Sequence, residues 1–156
     1  FMYCNGVVVL TGEYMAEKNK NKLLNLPFIA LIIILIIYLI IAAILYIIRP
    51  LSIAFFTNKP EIIERASSIL LLVLFTSIAQ PFFEVAKFNL QAVGKEKIAL
   101  VITGVVNLLI FGVLIYLKQS SELNLKTILL LLSCNYLVLY LIFTLCYRLE
   151  INKIIH

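Results

Sequence analysis

The sequence predicts an all-α integral membrane protein with four transmembrane helices and the end of a fifth. Hydrophobic residues make up 63% of the 156 residues and charged residues only 13%, whereas a soluble domain carries about 45–50% and about 25%. The apolar residues fall into long uncharged runs, and a run of about 18 or more is typical of a transmembrane helix. Lipid must therefore cover apolar surface that a soluble fold of this size has no means to bury.

The predicted spans form one membrane domain over residues 1–156. They lie at about 1–15 (partial), 24–48, 66–93, 98–117 and 127–147. The clearest is 24–48, which has no charged residue and would reach about 37 Å across a hydrocarbon core of about 30 Å. Pro27 is placed in its first turn, where the missing N–H costs nothing, and Arg49-Pro50 is expected to end it.

The longest polar interruption after this first complete span runs from Leu51 to Arg65. It contains the turn-forming residues 57–60 and predicts an interfacial loop, with the next helix starting early at Ile62 or Ile63. The span 66–93 is the one interrupted by polar residues and a proline. It ends at the turn Gly94-Lys95-Glu96-Lys97.

The first residues predict that the given sequence begins in the middle of a helix. Phe1 stands in place of a start methionine, and residues 1–10 are apolar with no basic segment before them, which argues against a signal peptide. We expect a truncated end. Cys4, Cys134 and Cys146 lie in apolar surroundings and are interpreted as small buried hydrophobic residues.

The basic residues predict the orientation. Spans joined by short connectors must alternate in direction, which divides Lys and Arg between two sides. One side has Lys18, Lys20, Lys22, Lys95, Lys97, Arg148 and Lys153, and the other has Arg49, Lys59, Arg65, Lys118 and Lys126. The richer first set is predicted to be cytoplasmic. The net charge of +5 is dispersed over these connectors, which is typical of contact with lipid headgroups and not of nucleic-acid binding.

Three short motifs occur in order along the chain. TGEYMAEKN at residues 11–19 is similar to a G-Q-x-x-G-A-x-N signature, with Glu13 in place of Gln and Ala16 in place of Gly. FFTNKPEII at 55–63 is similar to F-T-x-D-P-E, and FNLQAVGKEK at 88–97 to L-Q-A-x-G-K-x-K. Together they resemble the C-terminal half of the MATE (multidrug and toxic compound extrusion) transporters.

The resemblance covers nearly the whole chain and implies a twelve-helix architecture of two six-helix halves. It places this chain from the end of the eighth helix through the twelfth, with the loops at Gly12 and Gly94 in the cytoplasm. That agrees with the orientation from Lys and Arg. It also implies that the N-terminal half of the same protein is a partner that supplies part of the substrate cavity.

A polar stripe is predicted on one face of the interrupted span. Gln80, Glu84, Lys87 and Gln91 recur at helical spacing, and Thr76 and Ser77 extend the stripe. Such a stripe must face protein or water. Glu84 lies about 15 Å inside the turn at Gly94, near the middle of the bilayer, whereas Lys87 is shallower and can snorkel to the headgroups.

Glu84 is the leading candidate for ion coupling, because an ionisable residue at mid-membrane marks function by default. The alternative is that Glu84 only pairs with Lys87, or stays protonated and hydrogen-bonded. Pro81 has no N–H and frees the carbonyl of Ser77, which either binds a cation or lets the helix bend. The resemblance implies an acidic residue one turn earlier, nearer Gln80.

The other spans offer fewer candidates. Thr103 and Asn107, beside Gly104 and Gly112, predict close helix packing with a polar clamp, and residues 133–136 are interpreted in the same way. His156 is the only histidine, which argues against a histidine metal site. The sequence has no nucleophile with a base and no phosphate-binding glycine loop, so we predict neither an enzyme nor a cofactor.

The predicted function is a secondary-active multidrug antiporter, which exports organic cationic compounds in exchange for H+ or Na+. The predicted site residues are Glu84, Gln80, Ser77, Lys87 and Pro81. The expected partners are a small-molecule substrate and membrane lipid, and the expected location is a bacterial cell membrane. Two alternatives remain: a lipid-linked oligosaccharide flippase of the same superfamily, and a membrane scaffold subunit that transports nothing.

Overall fold

The computed structural model describes residues 2–120 and 124–155. Within these ranges the chain forms seven α-helices: α1 Met2–Ala16, α2 Lys20–Ile47, α3 Arg49–Ala54, α4 Pro60–Ser77, α5 Ala79–Ala92, α6 Glu96–Gln119 and α7 Leu125–Ile155. Four helical segments of the described chain are long and apolar enough to cross a membrane, namely Lys20–Ile47, Pro60–Ala92, Glu96–Gln119 and Leu125–Ile154. The predicted all-α membrane fold with four spans is confirmed.

The interrupted span is formed by α4 and α5 together. The two helices are separated by Ile78, whose N–H donates to the carbonyl of Phe75 at 3.4 Å. Pro81 lies in the first turn of α5 and has no N–H. Even in a continuous helix, the carbonyl of Ser77 would therefore lack its hydrogen bond from residue 81. The predicted interruption is confirmed, with the break three residues before the proline.

The loop predicted from Leu51 to Arg65 is shorter than expected. Most of its first part forms the one-and-a-half-turn helix α3, and α4 begins already at Pro60. Pro50 and Pro60 both lie in the first turn of their helices, where the missing N–H leaves no bond unmade. Pro60, which was interpreted as part of a turn, therefore starts a helix. Pro50, which was expected to end the first complete span, follows the end of α2 at Ile47 and lies in the first turn of α3.

Pro27 does not lie in the first turn of its helix. α2 begins at Lys20, where the Asn19 side chain accepts a hydrogen bond from the N–H of Lys22 at 3.1 Å. This cap satisfies one of the free N–H groups and adds a polar turn ahead of the apolar run. Pro27 is therefore interior to α2, and the carbonyl of Leu23 loses its helical donor.

Helix α5 lies at the centre of the bundle and contacts α1, α2, α6 and α7. Its residues Phe83, Ala86 and Leu90 are buried in a core with Leu139 and Phe143 of α7. Val85, on another face of α5, joins a second cluster with Val7 of α1 and residues of α2. Because both clusters depend on α5, this helix is fixed by neighbouring helices on two of its faces.

The outer surfaces remain apolar. Ile36, Ile40 and Ile47 of α2 are each more than half exposed, and α6 has the same character. Contiguous exposed apolar surface on this scale marks contact with a membrane or another protein. The arrangement fits helices whose outer faces lie in lipid.

One end of the bundle is tied together by polar contacts between helices. The Tyr147 hydroxyl of α7 donates to the carbonyl of Leu23 in α2 at 2.9 Å. Lys95, in the turn between α5 and α6, forms an ion pair with Glu150 of α7 at 3.2 Å. These contacts bring together the start of α2, the end of α5 and the end of α7, as alternating spans require.

Candidate functional site

The polar stripe on α5 lies along the edge of the buried core. Gln80 is exposed, whereas Glu84, Lys87 and Gln91 are each partly buried. The neighbouring Phe83 is buried and packs against α7. The stripe therefore faces the margin of the bundle, where part of each polar side chain is covered by protein.

Glu84 and Lys87 form an ion pair. Lys87 Nζ donates to Glu84 Oε2 at 3.2 Å, and the two side chains remain 30% and 28% exposed, respectively. The Lys87 ammonium also lies 5.4 Å from the centre of the Phe83 ring and 5.5 Å from that of Phe88, within range of cation–π attraction. The lysine is thus held beside α5 by one carboxylate and two aromatic faces.

Ser77 and Pro81 lie on the two sides of the break. Ser77 is the last residue of α4 and Pro81 the third residue of α5. Because Pro81 has no N–H, the Ser77 carbonyl lacks the donor that a continuous helix would supply. The break therefore places a backbone oxygen one turn before Gln80 and two turns before Glu84, on the polar side of the span.

A groove between α5 and α6 opens next to this stripe. It has a volume of about 200 Å³, and both polar and apolar residues line it: Phe83, Lys87 and Gln91 of α5, and Glu96, Ala99, Leu100 and Thr103 of α6. Glu96 is the first residue of α6, so the groove reaches the end of the bundle that contains Gly94. Lys87 of the ion pair consequently lines a groove that extends towards that end.

A second, larger groove of about 450 Å³ lies between α6 and α7 and shares Phe83 and Thr103 with the first. Asn135 of α7 donates through Nδ2 to Asn107 Oδ1 of α6 at 3.0 Å. The polar clamp predicted at Asn107 is therefore present, with Asn135 as its partner. The Thr103 hydroxyl instead donates to the carbonyl of Ala99 in its own helix at 2.8 Å.

The close packing predicted at Gly104 and Gly112 is wrong. A Cβ atom placed on either glycine would meet no atom within 4 Å. Within the described residues, no neighbouring helix therefore packs closely against either glycine. Spacing along one helix identifies small residues but does not establish which neighbour lies opposite.

The sequence analysis did not identify two polar residues that form hydrogen bonds within the spans, the buried Asn89 and the partly buried Tyr38. Asn89 is 1% exposed, donates through Nδ2 to the Val85 carbonyl at 2.8 Å, and has no donor to its Oδ1. Tyr38 in the middle of α2 donates to the Leu74 carbonyl of α4. The sequence did contain a signal for Asn89: it is a polar residue of the span that does not share the face of Gln80, Glu84, Lys87 and Gln91, so it has to face the neighbouring helices or lipid. Tyr38 gave no signal, since tyrosine is common in membrane spans.

Among the described residues no group of three or more His, Cys, Asp or Glu side chains is arranged to hold a metal ion. The polar face of α5 therefore contains one ion pair, Glu84–Lys87. The carbonyl of Ser77, which has lost its helical donor, lies at the start of the same face. Broken helices with freed carbonyls at mid-membrane are typical of ion sites in secondary transporters. The break between α4 and α5 and the Ser77 carbonyl without a helical donor are features of the same kind.

Four apolar spans, one of which is interrupted and carries an ion pair, define a multi-pass membrane protein with the features of a transporter. A family model described as MatE matches residues 1–117. The chain therefore belongs to the MatE family, whose members are membrane transporters and not enzymes. This confirms the resemblance seen in the three motifs. The comparisons with curated proteins and with solved structures gave no match.

Proposed function

We propose that this chain belongs to a secondary-active antiporter, which exports organic cationic compounds in exchange for protons or sodium ions entering the cell. The observation that carries the proposal is the Glu84–Lys87 pair on the interrupted helix. An ionisable pair near mid-membrane is costly to insert, and such residues in spans line ion or substrate pathways by default. Membership of the MatE family supports transport as the activity.

In this proposal the Glu84 carboxylate exchanges partners. It holds Lys87 at 3.2 Å in the present arrangement. A proton or sodium ion that binds the carboxylate competes with the Lys87 ammonium, which is then drawn towards the groove beside Gln91 and Glu96. Binding of the ion and movement of Lys87 are thereby coupled, and coupling of this kind is what an antiporter requires.

Gln80 and Ser77 complete the proposed ion site. The Gln80 amide lies one turn before Glu84, and the Ser77 carbonyl is left without its helical donor by Pro81. Carboxylate, amide and backbone oxygens together suit a proton carrier or a sodium ligand. Lys87 is already compensated by Glu84, so this face offers less to the pyrophosphate of a lipid-linked oligosaccharide than to a cation.

The proposed partner for the exposed side of the stripe is the upstream half of the same protein, within a bacterial cell membrane. Gln80 is exposed, and Glu84 and Lys87 are only partly covered. Hydrocarbon does not solvate these groups, so a protein or aqueous surface has to face them. A cavity between two halves provides such a surface and admits a small organic substrate.

The test is Glu84→Gln in the full-length transporter reconstituted in liposomes. Glutamine keeps the size and hydrogen bonding but does not titrate, so export driven by an imposed pH or sodium gradient should fall by at least tenfold. Glu84→Asp should retain part of the activity with a shifted pH profile, because a carboxylate remains in similar surroundings. Glu64→Gln, at an exposed position of α4, is the matched control and should export normally.

A second pair of variants separates coupling from simple charge pairing. If Glu84 only neutralises Lys87, then Glu84→Gln fails because the lysine is left unpaired, and adding Lys87→Met should restore export. If Glu84 carries the ion, the double variant stays inactive. Gradient-driven export by Glu84→Gln alone at the wild-type rate, or by the double variant, would refute the proposed role.

A further inference from the structure

The break between α4 and α5 leaves a backbone carbonyl that a second helix satisfies. In a continuous helix the N–H of Ile78 would donate to the carbonyl of Leu74, four residues earlier. Here it donates to Phe75 instead. The helical donor of Leu74 is thus turned away, at a point near the middle of a 33-residue span.

The hydroxyl of Tyr38 takes over this position. It projects from the middle of α2 and donates to the Leu74 carbonyl. The hydrocarbon core has no water to bond a free carbonyl, and an unsatisfied group there costs several kcal/mol. The bond from Tyr38 is therefore expected to favour the broken conformation, in which the Leu74 carbonyl has lost the donor of a continuous helix.

A related arrangement occurs at Pro27, inside the continuous helix α2. Pro27 removes the donor for the Leu23 carbonyl, and the Tyr147 hydroxyl of α7 donates to that oxygen at 2.9 Å. In both places a tyrosine from a neighbouring helix bonds a carbonyl that has lost its helical donor.

We propose that Tyr38 is a positioning residue, whose hydroxyl holds the break between α4 and α5 and thereby the location of the Glu84–Lys87 pair. Glu84 lies about 9 Å beyond Ile78 along α5, so a change of about 20° in the angle between α4 and α5 would displace it by about 3 Å. Loss of the hydroxyl favours return of the Ile78 N–H to Leu74 and a continuous helix. This role of Tyr38 does not require that the chain transports anything, so it is separable from the proposed function.

The experiment measures the distance across the break with nitroxide labels at Glu64 of α4 and at Lys97, in the first turn of α6 directly after the turn that ends α5, both exposed. Double electron–electron resonance is recorded on the full chain in lipid nanodiscs, with the native cysteines replaced. Tyr38→Phe should shift or broaden the distance distribution. Tyr46→Phe, on the same helix but stacked on Arg49, is the matched control and should leave it unchanged.

Two further variants test that the hydroxyl acts through the freed carbonyl. Replacing Tyr38 by 4-aminophenylalanine keeps a donor on the ring and should preserve the wild-type distances, which can be measured even if Tyr38→Phe folds poorly. Pro81→Ala restores the donor for the Ser77 carbonyl and removes the ring that crowds this oxygen, which favours a continuous helix in which the Ile78 N–H donates to Leu74. Adding Tyr38→Phe to it should therefore change nothing further. Unchanged distances in Tyr38→Phe, or an equal shift in the Pro81→Ala background, would overturn the proposal.

Discussion

At the scale of single residues, two pairs of polar side chains within the described spans bond to each other. Glu84 holds Lys87, and Asn107 holds Asn135 across two helices. Helical spacing predicted that Glu84 and Lys87 share a face, because a period of 3.6 residues is fixed by the backbone. Which helix faces Asn107 depends on how α6 and α7 pack, and no local pattern encodes that contact.

The Asn107–Asn135 bond should contribute a measurable coupling free energy. Asn135 is 6% exposed and its Oδ1 has no donor, so Asn135→Leu leaves Asn107 without its partner in apolar surroundings. Interhelical bonds of this type contribute about 0.6 kcal/mol on average and up to about 1.7. Each single Leu variant should therefore be destabilised, while Asn107→Leu with Asn135→Leu should recover most of the loss. Reversible unfolding in SDS measures this cycle, and additive effects would contradict the pairing.

At the scale of helices, the described chain ends two of its helices with the same hydrogen-bond motif. After α5, Gly94 adopts a φ of 73°, and the N–H groups of Gly94 and Lys95 donate to Gln91 and Leu90. After α1, Lys18 adopts a φ of 52°, and the N–H groups of Lys18 and Asn19 donate to the carbonyls of Met15 and Tyr14. Both are Schellman ends, which place a left-handed residue just after the helix.

The ends and starts of the helices show which helix boundaries the sequence could predict. The stop at Gly94 was expected, because glycine is the usual left-handed residue. The α3 helix and the interior position of Pro27 were not, since a proline fits the first turn of a helix as well as a loop. The position of a proline within its element depends on where the helix starts, which at Lys20 is set by the Asn19 cap.

Substitutions at the two left-handed positions should have opposite effects on stability. Gly94→Ala should lower the free energy of unfolding by about 1 kcal/mol, because a Cβ disfavours positive φ. Lys18→Gly should raise it by a similar amount for the same reason. Gly104→Ala is the matched control: it lies inside α6 with open space around it and should be neutral or stabilising. SDS unfolding checks all three, and destabilisation by Lys18→Gly would contradict the assigned backbone.

At the scale of the whole molecule, the inter-helix contacts and the basic residues indicate the same arrangement of spans. Lys22, Lys95 and Lys153 lie among contacts at one end, where they pair with Glu17 and Glu150. Lys118 lies at the other end of α6. The sequence predicted this division because short connectors force neighbouring spans to alternate. The side that faces the cytoplasm remains a prediction from the excess of Lys and Arg.

Cysteine labelling of intact cells tests this orientation directly. α6 runs from Glu96 to Gln119, about 36 Å at 1.5 Å per residue, which exceeds a hydrocarbon core of about 30 Å. In a chain without Cys4, Cys134 and Cys146, a cysteine at Ser120 should react with a membrane-impermeant maleimide added outside.

A cysteine at Glu96 should react only after the cells are opened, because positive-inside bias places the Lys95 and Lys97 turn in the cytoplasm. Ala86→Cys, in the core of the bundle, should stay unlabelled from both sides and controls for unfolding. Labelling of both surface positions from outside would exclude α6 as a span. Labelling of Glu96→Cys alone from outside would keep the four spans but reverse their orientation, and with it the side from which the groove beside Lys87 is entered.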